Sequence, residues 1–157
     1  MVKYQKATEK DTNQILELVQ ETITKVYPKY YPKEVVDFFC ELHGKEKIKE
    51  DICRGNVSVL LVNNSLVGTG SYQDNHITRV YVQPEFQGKG YGSRIMEELE
   101  AEIALTYDKV YLDASLPASH LYEKRGYSTV KHEKWQVENG VVLVYEVMEK
   151  LLCSHII

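Results

Sequence analysis

The stretch VQPEFQGKGYGSRIMEELE, Val82 to Glu100, constrains this chain more than any other. It places Gly88, Gly90 and Gly92, three of nine glycines, within five residues at the start of a run with helical periodicity. Glycine costs a helix about 1 kcal/mol relative to alanine, so crowding it there implies that something must lie against bare backbone. Helix N-termini carry orphan N–H donors and a partial positive charge, and they bind anions. Each phosphate contact of this kind contributes roughly 0.3–1 kcal/mol when exposed and up to about 2 when partly buried. A Walker loop requires GxxxxGK[ST], which is absent. A dinucleotide loop requires GxGxxG; Gly88 and Gly90 fit, but Ser93 stands in the third place. The preceding strand also closes a meander and does not open a βαβ unit. A third reading takes QGKGYG as consecutive N–H groups at a helix N-terminus around a pyrophosphate, with dinucleotide binding still open on this fragment alone and an ordinary glycine-rich turn as the plain alternative.

The flanking pattern sets the fold class. VKYQKA, Val2 to Ala7, alternates as a strand. Thr8 with Asp11 reads as an approximate capping box for a helix whose inward face is Ile15, Leu18, Val19, Thr22 and Val26. YPKYYP breaks the pattern twice with proline. KEVVDFFCELHG predicts a second helix with Val35, Val36, Phe39 and Leu42 inward and Gly44 as a stop. KEKIKEDICRG predicts a short third helix ending at Gly55. The middle is rich in β-branched and aromatic residues cut by NNS and QDN, which predicts a meander of Val57–Val62, Leu66–Tyr72 and His76–Val82, ended by Pro84. A helix from about Gly90 to Thr106 follows, with Ile95, Met96, Leu99 and Ile103 inward and EELEAE, Glu97 to Glu102, as a solvated face. KVYLDAS reads as a strand. PASHLYEKRGY reads as a short helix between Pro117 and a left-handed Gly126. Two strands then join through a turn at Asn139-Gly140. Helices and strands mix in this order, so the class is α+β, or mixed α/β, built on a twisted, largely antiparallel sheet flanked by helices.

A length of 157 residues suits one domain spanning residues 1–157. A net charge of −4 argues against a nucleic-acid partner. Cys40, Cys53 and Cys153 are odd in number and lack metal or redox spacing. With no apolar leader and no window near the roughly 20 apolar residues of a span, the expected location is cytoplasmic, away from membranes. The tail LLCSHII reads as a docked or frayed terminus. Twelve tyrosines against three phenylalanines place many rings at half-buried or cleft positions.

VYVQPEFQGKGYGSRIMEEL resembles the acetyl-CoA-binding signature of the GCN5-related N-acetyltransferases (GNAT): a strand, a short acidic loop, Q/R-x-x-G-x-G/A and a helix. Gln87, Gly88, Lys89, Gly90, Tyr91 and Gly92 occupy it, with Ser93 next. ASLPASHLYEKRGYSTV resembles the family's following block, A-x-x-x-Y-E-K-x-G-F/Y, filled by Ala118, Tyr122, Glu123, Lys124, Gly126 and Tyr127. The resemblance implies a GNAT fold splayed at its central strands, with acetyl-CoA as co-substrate and no metal. The backbone of Val80, Tyr81 and Val82 would pair with the pantetheine arm, and one N–H there would face the thioester carbonyl as an oxyanion donor. Tyr122 matches the general acid that protonates the CoA thiolate. Ser115 stands where many members carry a cofactor-contacting asparagine. A thiol pKa near 8.5 and a phenol near 10 are roughly matched for that exchange.

The implied activity is acetyl transfer to a primary amine by direct attack, the amine belonging to a small molecule, a peptide or a protein. A non-catalytic acyl-CoA sensor of the same fold and a nucleotide-binding domain are the alternatives. An amine of pKa about 10.4 is about one part in two thousand neutral at pH 7, so presenting it costs about 4–5 kcal/mol without a base. Asp74, His76, Glu85 and Asp113 flank the expected cleft as candidate bases, each better read as a solvated turn or strand-end residue, with proton removal through ordered water as the alternative. YPKYYP reads either as an acceptor-pocket wall or as a packed connection. His43, His120, His132 and His155 read as surface or capping residues. Both a monomer and a homodimer fit the sequence.

Overall fold

The structure is a computed structural model that describes residues 1–115 and 118–152. Its elements are β1 (Val2–Lys6), α1 (Thr12–Val26), α2 (Lys33–Leu42), α3 (Lys45–Cys53), β2 (Val57–Val62), β3 (Ser65–Gln73), β4 (His76–Val82), α4 (Tyr91–Ala104), β5 (Lys109–Ala114), α5 (Ser119–Lys124), β6 (Ser128–Gln136) and β7 (Val142–Leu151). One seven-stranded sheet runs β1-β2-β3-β4-β5-β7-β6. Its pairings are antiparallel except for the parallel contact of β4 with β5. The mixed α/β class read from the sequence is the one observed. Pro117, Cys153, His155 and the rest of the apolar tail lie outside the described residues.

The period-2 runs become strands because their alternate residues serve two cores, one on each face. Ile15, Val19 and Ile23 of α1, Val35 of α2 and Ile48 of α3 pack with Val57, Val59 and Tyr81 on one face. Ile95, Leu99 and Ile103 of α4 pack with Leu60, Val67, Ile77, Val110, Leu112 and Met148 on the other. Gly68 and Gly70 on β3 decide how closely α4 seats. A methyl group on Gly70 would come within 2.6 Å of Ile95 Cγ2 and 3.1 Å of Leu99 Cδ1, and one on Gly68 within 2.8 Å of Ile95 Cδ1. These glycines serve close packing, a role the meander pattern did not reveal.

Two local readings are corrected, while Gly44, which follows the end of α2, has φ −76° and is the N-cap of α3. Leu42 is not inward but exposed, because α2 ends beside a cavity. Glu100 does not belong to a solvated face. It is buried, accepts from the Tyr127 hydroxyl at 2.7 Å and Arg125 at 2.8 Å, and lies 3.3 Å from Lys150 Nζ. This cluster ties the C-terminal end of α5 to α4. The Asn139-Gly140 turn has φ 58° and 71°, both positive, and Val141 N–H donates back to the Glu138 carbonyl at 3.2 Å, as a primed hairpin turn requires.

Candidate active site

The sheet opens between β4 and β5. They pair only at His76–Tyr111 and Ile77–Leu112. Ser71 sits opposite Arg79 while Tyr72 sits opposite Ile77, so Thr78 is an extra residue on β4. Such a bulge bends the strand, and here β4 turns away from β5 just beyond it. Val80 to Val82 stay paired with Gly70 to Gly68 of β3 but have no strand on their other side. Gln83 N–H donates to the Val67 carbonyl of β3 at 2.8 Å. By alternation the backbone groups of Tyr81 also face β3, while those of Val80 and Val82 face the gap. Consistent with this parity, the Gln87 side chain donates to the Val82 carbonyl at 3.0 Å. Tyr81 contributes its buried ring instead, on the α1–α3 face.

The strand runs on into the glycine loop. Gly88 and Gly90 have φ of +77° and +88°, and a methyl group on either would meet no atom within 4 Å. Left-handed backbone, and not crowding within the chain, is what demands glycine at these two positions. Gly90 is the N-cap of α4, and the first helical bond runs from Arg94 N–H to the Gly90 carbonyl at 3.1 Å. The N–H groups of Tyr91, Gly92 and Ser93 thus lack intrahelical acceptors. Lys89 Nζ lies 5.4 Å above the Phe86 ring.

A cavity of about 360 Å³ lies against the splay, lined by Val80, Tyr81, Ser115 and Tyr122 among others. Tyr122 is buried on α5, its ring edge-on to Tyr127 at 5.8 Å. Tyr27 donates to or accepts from the Tyr81 hydroxyl at 3.2 Å, and Ser115 faces the same Tyr27 hydroxyl. Of YPKYYP, Tyr27 therefore lines the cavity and also packs in the core with Tyr31, whereas Tyr30 is exposed.

A family model for the acetyltransferase (GNAT) domain matches residues 26–152. The chain belongs to the GNAT acetyltransferase family. YafP of Escherichia coli (strain K12), an uncharacterized N-acetyltransferase, is 25% identical over 125 residues, covering 79% of each chain. A GCN5-related N-acetyltransferase from Rhodopseudomonas palustris superposes with TM-score 0.86 at 21% identity, covering 97% of this chain and 95% of that one. The PaiA N-acetyltransferase of Thermoplasma acidophilum, in complex with coenzyme A, superposes with TM-score 0.76 at 19% identity over 96% and 99% of the two chains.

Within this GNAT cleft the four candidate bases separate. His76 Nε2 lies 3.2 Å from Asp113 Oδ2, with the His76 ring stacked on Tyr111 at 4.4 Å, and both His76 and Asp113 line the cavity. Glu85 instead lies 3.6 Å from Lys25. Asp74 accepts from the Tyr107 hydroxyl at 3.5 Å. Neither lines the cavity.

Of its two readings, surface or capping, His43 takes the second: it is the C-cap residue of α2 and is buried at the cavity wall. Arg79 Nε donates to His43 Nδ1 at 3.0 Å, and another Arg79 nitrogen donates to Ser71 Oγ at 3.2 Å. The third Arg79 nitrogen lies 2.7 Å from Asp51 Oδ2. Burial, and then the Arg79 charge, push the imidazole down to about 3. The unfolded chain then binds more protons than the folded one between pH 6.5 and 3, so stability falls as pH drops through that window. Thermal melts should show the midpoint declining below pH 6.5, with a shallower slope in His43→Gln. No charge run or spacing marks His43 in the sequence; its partners are brought to it by tertiary packing.

Proposed function

We propose that this N-acetyltransferase moves an acetyl group from acetyl-CoA to a primary amine. One observation carries the reading: the edge of β4 at Val80 and Val82, unpaired with β5, leads directly into a glycine loop at the start of α4, where the N–H groups of Tyr91, Gly92 and Ser93 lack intrahelical acceptors, beside the cavity that Tyr122 lines. These residues fit the cofactor. The open backbone edge would pair with the pantetheine amides, and the loop from Gly88 to Ser93 would hold the pyrophosphate. Acetyl-CoA supplies an activated thioester carbonyl.

The chain's own groups divide the remaining work. An N–H of Val80 or Val82, facing the gap, is placed to donate to oxygen where negative charge develops. Tyr81 N–H faces β3 and is excluded from that role. Burial, followed by the nearby Tyr27, pushes the Tyr122 phenol well above its ordinary range, so the match with a thiol near 8.5 is poorer than the sequence implied. Tyr122 therefore keeps its proton. Its larger contribution is the hydrogen bond it donates to the leaving sulfur. His76, with Asp113 beside it, takes the proton shed by the amine. Because of the bulge, His76 and Val80 pair with β3 residues only three apart, Gln73 and Gly70, so at about 3.3 Å per strand residue His76 stands roughly 10 Å from Val80 and this path includes water. Ser115, turned toward Tyr27, orders the inner wall.

The donor half is tested by calorimetric titration with CoA. Replacing Gly90 with alanine strains a backbone at φ +88° by about 1–2 kcal/mol and moves the N–H groups. Gly90→Ala is expected to raise Kd about tenfold, 1.4 kcal/mol. An unchanged Kd would remove the loop from the site.

A further inference from the structure

The outer wall of the cavity is unlike its floor. It is formed by α2 and the β6–β7 hairpin, where Phe38 meets Trp135 at 5.9 Å. Leu42 is 47% exposed and Trp135 55% exposed, and both line the cavity. Large apolar groups exposed together around a concave opening mark a surface that a ligand covers. Aromatic contacts run inward without a break, from Trp135 to Phe38, to Phe39 at 5.7 Å, to Tyr27 at 5.0 Å.

The charges on the lining are mostly spent. Arg79 and Lys47 share the Asp51 carboxylate, at 2.7 and 3.4 Å. Buried His43 is uncharged at neutral pH. Among the described lining residues, Asp113 alone offers an exposed carboxylate, 44% accessible with His76 on one side. Lys131, which feels the Asp113 charge, is paired with Glu133 at 3.0 Å. A polyamine would need several spaced carboxylates, and an amino acid would need a cation not already shared.

We infer that the acetyl acceptor is a small primary amine with an aromatic or bulky apolar body. The body lies among Trp135, Phe38 and Leu42, and the ammonium is drawn toward Asp113. Trp135 also offers its face to cationic atoms. This deepens the acetyltransferase reading and rests on it.

Trp135 is the chain's single tryptophan, so its fluorescence reports binding at the mouth without any turnover. With CoA present, 2-phenylethylamine should give a saturable change that spermidine and glutamate do not. In thiol-release assays its kcat/KM should exceed theirs at least tenfold. Leu42→Lys and Trp135→Ala should each raise its KM about tenfold and leave the Kd for CoA unchanged. The inference is overturned if spermidine, glutamate or a peptide N-terminus is the better ligand, or if phenylethylamine gives no saturable signal. It is also overturned if the signal depends on protein concentration alone, as a second copy covering the mouth would produce. Failure to bind acetyl-CoA in parallel calorimetry would instead contradict the acetyltransferase reading itself.

Discussion

Replacing Tyr122 with phenylalanine is expected to lower kcat about 10²- to 10³-fold, the range for losing one hydrogen-bond donor to developing negative charge, while leaving KM for acetyl-CoA within about twofold. The ring packs edge-on against Tyr127 at 5.8 Å, a contact phenylalanine retains. The melting temperature should therefore move by no more than a degree or two. Only the hydroxyl at the cavity wall is lost, and with it the hydrogen bond proposed for the leaving sulfur. Stopped-time assays of thiol release, paired with melts of the same preparations, separate the two roles. Full activity in a folded Tyr122→Phe protein would make Tyr122 a packing residue.

The largest expected loss of stability lies one strand away. Arg79 is 2% exposed and Asp51 9% at their side chains, and their charged atoms are 2.7 Å apart. Removing one partner from a buried pair leaves an uncompensated charge and costs about 3–5 kcal/mol. For a chain of this size that is a fall of roughly 10 °C or more in melting temperature. Asp51→Ala should show this loss. Asp51→Leu combined with Arg79→Met should recover much of it, since an apolar pair of similar volume carries no desolvation debt. Because Arg79 also donates to His43 and to Ser71 beside the Thr78 bulge, Asp51→Ala should weaken CoA binding as well as stability. Equal melting temperatures for Asp51→Ala and wild type would show that water already solvates the pair.

The elements legible in the sequence were those set by local physics. The period-2 meander gave β2 and β4 to the residue, and the glycine crowding before α4 marked the loop whose positive φ values the structure displays. The capping box at Thr8 appears as a 2.8 Å bond from Thr8 N–H to Asp11. What was not legible depends on segments remote in the chain. Nothing within the strand Leu66–Tyr72 signals why Gly68 and Gly70 are glycines; Ile95 of α4, packed over them, does. Glu100 sits in charged helical text that reads as solvated, and Arg125 and Tyr127 just beyond α5 and Lys150 on β7 enclose it. The apolar outer wall of the cavity was hidden for the same reason. Leu42 and Trp135 belong to an exposed helix end and an edge strand, and nothing local says that both open onto one cavity. The phenol–thiol match was inferred from free side chains and shifted once burial of Tyr122 was known.

The central claim is acetyl transfer from acetyl-CoA to a primary amine, and mass spectrometry of the amine together with thiol release measures it directly. Across a broad amine panel, at least one amine should gain an acetyl group. CoA thiol should be released one for one, and the rate should saturate in both reactants. If acetyl-CoA raises the melting temperature but no amine is acetylated, the chain binds acyl-CoA without catalysis and the account is contradicted.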